Sequence, residues 1–417
     1  MVIERKLSNG ITVVIEKISY VQSVAVGVFF RAGAIDETAK KSGISHYIEH
    51  MMFKGTEKRS VKKLAEDVDM IGGMINAFTG KENTCYYIKT ISENMEEGVE
   101  ILADMINNSV FDEEEMEKEK NVVLEEMKMI EDTPDELAID ILGETVLKGL
   151  NTGKSIIGTK ESVLSISRDD ILDYIKNYYC AGNIVISVAG NTDVEKTVQM
   201  LEKYFSNIDE GATKREHQEF IYKPGHIYRQ RDIEQTHIAL GYKGLAHEDK
   251  DHYALSLYSS ILGGSMSSRL FQNLREERGL AYSVQAFSSS YVDNGYYAIY
   301  VAVAHEKTEE AIEAIREELI KFKQNGVSDY ELKMTKEQIK GNYIFGQENI
   351  NKRMFSSGRN KLLLDKFISD QEIIEKVENV SKNDIMRMAE EMASLEDYTA
   401  VILSSKEVDP EKLLKGF

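Results

Sequence analysis

The sequence predicts an α+β protein built from two similar halves. Three observations carry that expectation. Strand-like and helix-like segments are interspersed in both halves, one residue pattern occurs twice, and a polar stretch separates the two copies. We expect a first domain over 1–208, a linker over 209–230 and a second domain over 231–417.

In the first half, Ile11–Glu16 and Ser23–Arg31 are rich in β-branched and aromatic residues and predict strands. Gly33 and the polar run Asp36–Ser42 predict a loop. Ile44–Phe53 reads as a buried helix and Val61–Ile71 as a second, stopped by Gly72-Gly73. Asn76–Thr79 and Thr84–Thr90 predict a hairpin, with Gly80–Asn83 as its turn. Apolar spacing predicts a helix over Asn94–Asn108, and Asp112–Glu131 is a long acidic one. Asp132–Asp135 breaks it, and Pro134 suits the first turn of the next helix. Ser167–Tyr178 and Val194–Phe205 read as helices around a strand at Asn183–Ala189. From Asn207 to Gln230 the chain is polar and contains Pro224-Gly225, which predicts the linker.

The second half follows the same order. Thr236–Tyr242 predicts a strand, His252–Leu262 a helix, and Arg269–Arg278 a helix ended by Gly279. Tyr282–Ser288 and Tyr296–Ala304 predict paired strands. Helices are expected at Lys307–Asn325, Ser328–Ile344, Gln371–Glu378 and Asp384–Met392, and a last strand at Tyr398–Leu403. The repeat is visible residue by residue. Ile71–Tyr87 and Arg278–Tyr297 each run through glycine, a strand with Ala-Phe, a polar turn and paired tyrosines. Ile44–Gly55 aligns with Ala254–Gly264.

Composition excludes some functions. The net charge of −20 opposes nucleic-acid binding, which needs a basic surface. The two cysteines, Cys85 and Cys180, make no disulfide framework. The N-terminal residues lack the basic-then-apolar pattern of a signal peptide, and no apolar run is long enough to span a bilayer. A soluble protein of a reducing cytoplasm is expected.

The chemistry concentrates in His46-Tyr47-Ile48-Glu49-His50. Two imidazoles four positions apart share one helical face, so both can reach one metal ion. Glu49 lies in the same turn and can face a water on that metal. This order, HxxEH, inverts the zinc-protease HExxH. The second copy has no histidine or glutamate at the aligned positions, so one half carries the metal chemistry. Catalytic zinc takes three protein ligands and keeps one position open. The third ligand should lie on another element. Glu126 in Asn121–Met129 is our choice, although spacing alone does not separate it from the other glutamates of Asp112–Asp132. Glu119, seven residues earlier, shares its helical face and can orient a ligand.

The motif, its setting Arg31-Ala32-Gly33 and Gly43-Ile44-Ser45-His46, and the downstream glutamate helix resemble the insulinase/pitrilysin family of zinc peptidases. The likeness is nearest to bacterial homologues of the mitochondrial processing peptidase β-subunit. It extends through Gly72-Gly73, Asn76-Ala77-Phe78-Thr79, Gly158-Thr159, Ala189-Gly190-Asn191, Arg275 and Gly279-Leu280-Ala281-Tyr282. It departs from the family at Asn151-Thr152-Gly153-Lys154, where a His-Pro pair is common.

The resemblance implies two similar domains, each a mostly antiparallel sheet with helices packed on one face. It implies one Zn²⁺ per chain, held by His46, His50 and Glu126, with Glu119 close by and Glu49 as general base. It implies that Arg275 and Tyr282, from the second half, hold the substrate carbonyl. Asn76, Ala77, Phe78 and Thr79 would form an edge strand to which an extended peptide adds. Glu136 and Asp140, four apart on one helix face, match acids that recognise a basic residue near the cleavage site, against a plain reading as solvated helix acids. The implied state is a homodimer enclosing a chamber, or a catalytic subunit paired with an inactive homologue. A non-catalytic partner subunit and a metal-binding protein without hydrolysis are the rival functions. The remaining histidines read as structural or surface residues, and both thiols lack a nucleophilic setting.

Overall fold

A computed structural model describes residues 2–392, 397–408 and 413–414. The chain divides into two compact units, each assembled from three separate stretches. The first comprises Met1–Met127, Lys154–Glu216 and Ile344–Ile368, and the second Lys128–Gly153, His217–Tyr343 and Ser369–Phe417. The units are therefore interleaved in sequence, whereas the reading above cut the chain once, at a linker. The last five residues of that supposed linker form a strand, His226–Gln230.

In the first unit the described residues form a six-stranded sheet. Its strands are β1 (Val2–Lys6), β2 (Thr12–Lys17), β3 (Ser23–Phe30), β4 (Met74–Thr79), β5 (Thr84–Ile91) and β6 (Ile184–Gly190). They lie in the order β1-β2-β6-β3-β5-β4, antiparallel except for the β2–β6 pair. Strand alternation sends Val13, Ile15, Val24, Val26, Val28 and Phe30 into one core, shared with the helices Ile44–Met51 and Met95–Asn108. The alternate residues Val14, Ala25, Phe29 and Val185 face the other way. They are covered by Ile350, Met354 and Leu362 of the helix Ile350–Leu364.

The second unit contains β7 (His226–Gln230), β8 (Gln235–Lys243), β9 (Ala281–Ser290), β10 (Gly295–Ala304) and β11 (Thr399–Ser404), in the order β7-β11-β8-β10-β9. That order matches β2-β6-β3-β5-β4, and the single parallel pair, β7–β11, falls at the equivalent place. The repeat read from the residues is thus a repeat of topology. Ile238, Leu240, Ile299 and Val301 pack on the helices His252–Gly263 and Thr308–Asn325. Ala239, Ala298, Tyr300 and Val401 face Leu137, Ala138, Ile141 and Leu142 of the helix Pro134–Val146.

The α+β class and the two mostly antiparallel sheets follow the sequence reading. Most helices do cover one face of their sheet. Each sheet in addition carries a helix on its opposite face, drawn from the other half of the sequence. The reason is visible in the strands: every residue of β6 is buried, and all but the last of β10, so both faces need an apolar cover. Two local differences concern the second half. The helix expected over Arg269–Arg278 is a π-helical turn over Phe271–Glu277. The helix Ile350–Leu364 was not expected at all.

Candidate metal centre

The motif lies on the eight-residue helix Ile44–Met51, whose residues Ile44, Tyr47, Ile48 and Met51 are buried in the first core. The helix begins at Gly43 with φ +88°, and a Cβ there would meet the Ile157 carbonyl oxygen at 2.5 Å. Glycine is required on both counts. Having no side chain, Gly43 cannot cap the helix. The buried Glu37 carboxylate does so, accepting from Gly43 N at 2.6 Å and Ser45 N at 2.9 Å. Burial still outweighs these bonds and pushes Glu37 up to about 7.

The second contributor is the helix Glu113–Glu131. Tyr47 Oη donates to Met116 O at 2.6 Å, which sets the register of the two helices. In that register Glu119 and Glu126, two turns apart, both face the histidines. Glu126 Oε2 lies 3.7 Å from His46 Nε2 and 3.5 Å from His50 Nε2. One donor atom from each of the three residues falls within 4.8 Å of the others. A tetrahedral zinc ion with bonds of about 2.0–2.1 Å sets its donors about 3.3 Å apart, so this set fits the ion with little movement.

Glu119 Oε1 lies 2.9 Å from His50 Nδ1. A carboxylate there holds the Nδ1 proton, so the Nε2 side, toward Glu126, is the one a metal ion would take. The other Glu119 oxygen pairs with Lys54. His46 is driven down to about 4, by burial first and then by His50, so it is a neutral donor. Its Nδ1 is buried without a hydrogen-bond partner among the described residues. His50 behaves oppositely. Burial would lower it, but hydrogen bonds to Glu119 and Glu126 raise it to about 9. Two carboxylates around one imidazole thus create a place for positive charge.

Glu49 lies on the same helix and is raised by burial, although Thr79 Oγ1 donates to its Oε2. Thr79 ends β4, which among the described residues pairs with β5 alone and forms an edge of the sheet. Along β4, Met74, Asn76 and Phe78 are the more exposed residues and Ile75, Ala77 and Thr79 the less exposed. Phe78 stacks edge-on against Phe355, with ring centroids 5.5 Å apart.

The other residues named from the sequence belong to the second unit. Arg275 donates to Tyr282 O at 3.0 Å and stacks on the Tyr282 ring, 4.5 Å from its centroid. Tyr282 is 76% exposed on β9, the last strand of that sheet. Glu136 and Asp140 share the exposed side of the helix Pro134–Val146, opposite Leu137, Ala138 and Ile141. Cys85 and Cys180 are buried and free. Residue patterns missed three partners in the first unit. Lys54 was detectable, since it follows His50 by four positions. The Thr79–Glu49 bond and the Glu37 cap join residues with no shared periodicity.

Two imidazoles, a carboxylate against one of them, a glutamate of a second helix facing both and a half-buried acid in the same turn form a group that could hold a metal ion. The chain belongs to the insulinase family, peptidase family M16. The model of that family matches residues 12–160, and the model described as the peptidase M16 inactive domain matches residues 165–339. The second match begins within the first unit and runs mostly over the half without the motif. An uncharacterized zinc protease of Bacillus subtilis is 40% identical over 95% of this chain and 96% of its own length. One from Rickettsia felis is 38% identical over 95% of this chain and 96% of its own. Among solved structures, a protease from Helicobacter pylori superposes with a TM-score of 0.89 at 24% identity, covering 97% of this chain and 99% of the other. A peptidase M16 inactive domain from Pseudomonas fluorescens superposes at 0.90 with 17% identity, covering 98% and 99%. These two establish a shared fold. No described helix is long and apolar enough to cross a membrane.

Proposed function

We propose that the chain is a zinc metalloendopeptidase that hydrolyses extended or unfolded peptides. The observation that carries this is the convergence of His46, His50 and Glu126, with Glu119 holding the His50 tautomer. Bound by those three side chains, one zinc ion per chain would supply Lewis acidity to water and to the scissile carbonyl. Glu49 is the general base. Its half-buried carboxyl takes a proton from the attacking water and delivers it to the leaving amine. Thr79 occupies one Glu49 oxygen, which leaves the other for this transfer. The outer edge of β4, over Asn76–Thr79, offers backbone donors and acceptors to a peptide added as an extra strand. Backbone recognition favours extended chains over particular sequences.

Within this reading Arg275 and Tyr282 bind the substrate carbonyl and backbone. Glu136 and Asp140 favour a basic residue near the cleavage site. The working form is a cytoplasmic homodimer enclosing the peptide in a chamber, related to the processing peptidases. The test is Glu49→Gln. The variant should retain one zinc per chain by metal analysis and lose cleavage of unfolded peptides. A wild-type chain that binds zinc yet leaves such peptides intact would make this a non-catalytic subunit instead.

A further inference from the structure

The zinc reading accounts for His46, His50, Glu126, Glu49 and Glu119, and leaves Lys54 without a role. Lys54 follows His50 by four residues, just beyond the end of the motif helix, and its ammonium pairs with Glu119 Oε2. Glu119 is 5% exposed and takes His50 Nδ1 on its other oxygen. Both oxygens of a buried carboxylate are therefore committed, one to the ligand and one to Lys54. The two partners leave from the same short segment and converge on one group of the facing helix. Glu119 cannot rotate without breaking one of them. Charge points the same way. A divalent ion would sit among the carboxylates of Glu49, Glu119 and Glu126, and Lys54 cancels the one negative charge left over.

Resting on the zinc reading, we propose that Lys54 is a positioning residue for the metal centre. It acts through Glu119, which it holds in the orientation that presents His50 Nε2 to the ion. Removing the ammonium leaves Glu119 buried with a single partner and free to turn toward solvent, which loosens His50.

The experiment measures zinc release to a chromogenic chelator from the folded full-length chain, with Glu49 kept so that the charge balance of the site is unchanged. Lys54→Met should accelerate release ~10-fold, at the lower end for residues that act through a ligand's partner. Lys54→Arg, which keeps a cation on Glu119, should release zinc within about 2-fold of the parent. The deciding arm is the double-mutant cycle. In a Glu119→Gln background, Lys54→Met should add nothing, because the group it acts through is gone. A lysine that merely stabilises the fold would have the same effect in both backgrounds. Equal effects in the two backgrounds, or no effect in the parent, overturn the proposal. A parent chain that takes up no zinc overturns the metal reading itself and this one with it. If Lys54→Met does not fold, Lys54→Gln serves in the same cycle.

Discussion

Gly358→Ala sets helix propensity against packing, with opposite signs. Gly358 is buried in the middle of the helix Ile350–Leu364. On propensity alone, alanine should stabilise by about 0.8–1.0 kcal/mol. A Cβ at this position, however, would lie 2.3 Å from Phe29 Cε2 and 2.6 Å from Cδ2. Phe29 is fully buried on β3 and edge-on to both Phe78 and Phe355, at 6.5 and 6.4 Å. Its ring cannot swing aside without displacing them. Overpacking of this kind costs about 1–3 kcal/mol, and an approach of 2.3 Å to a ring held by its neighbours sits at the upper end, so the net effect is a loss of about 2 kcal/mol. Gly98→Ala is the internal control. Gly98 also lies inside a helix, but its Cβ would meet Thr90 Cγ2 at 3.4 Å and Ile88 Cδ1 at 3.5 Å, ordinary contacts. That variant should gain about 0.5–1 kcal/mol. Amide hydrogen exchange along β3 and β6 reads the first unit by itself, where a single melting point for a two-unit chain would not. Phe29→Leu should restore part of the Gly358→Ala loss. A Gly358→Ala chain as stable as the parent would show that the second face of this sheet is not close-packed.

Glu119→Gln should keep the fold and weaken zinc binding by roughly 10–100-fold in a chelator competition; unchanged affinity would remove Glu119 from the centre. The Glu37 carboxyl, raised by burial, should titrate near 7 in a carbon-13 NMR series. Its folded value exceeds its unfolded one, so the stability it contributes is complete below about 4.5 and is lost as pH rises through about 7. A midpoint below 5 would contradict this. Tyr282→Phe should lower kcat/KM for peptides by roughly 10–1000-fold without changing zinc content, as loss of a carbonyl-stabilising donor does elsewhere. Peptides with arginine near the cleavage site should be cut faster than alanine counterparts, and Glu136→Gln with Asp140→Asn should erase the difference. Equal rates in the parent would leave those acids as surface charge.

The motif itself was legible because it is local. His46, Glu49 and His50 sit on one turn, and helical periodicity alone puts them on one side. Runs of β-branched and aromatic residues exposed most strands for the same reason, and self-similarity exposed the repeat. Glu126 was reached by likeness to a family. Spacing could not have chosen it from an acidic helix, because the choice depends on the Tyr47–Met116 register between two helices. The helix Ile350–Leu364 went unread because its apolar face is thin: Ile350, Met354 and Leu362, with Gly358 between them. It is narrow because it covers a sheet that already has a full core on its other side.

The division of the chain shows the same limit. Composition marked a break near 207–230, and the second sheet does begin at its end, with β7. Yet Pro134–Val146 and Ile350–Leu364 each cover the sheet of the opposite half. Sequence by itself determined what most segments are, the turn that carries the HxxEH motif, and which half carries it. Only the tertiary structure decided which segments share a core, which glutamate meets the histidines, and that Lys54, Thr79 and Glu37 hold the centre in place. Periodicity describes a residue's relation to its own element, whereas these contacts join elements far apart in the chain.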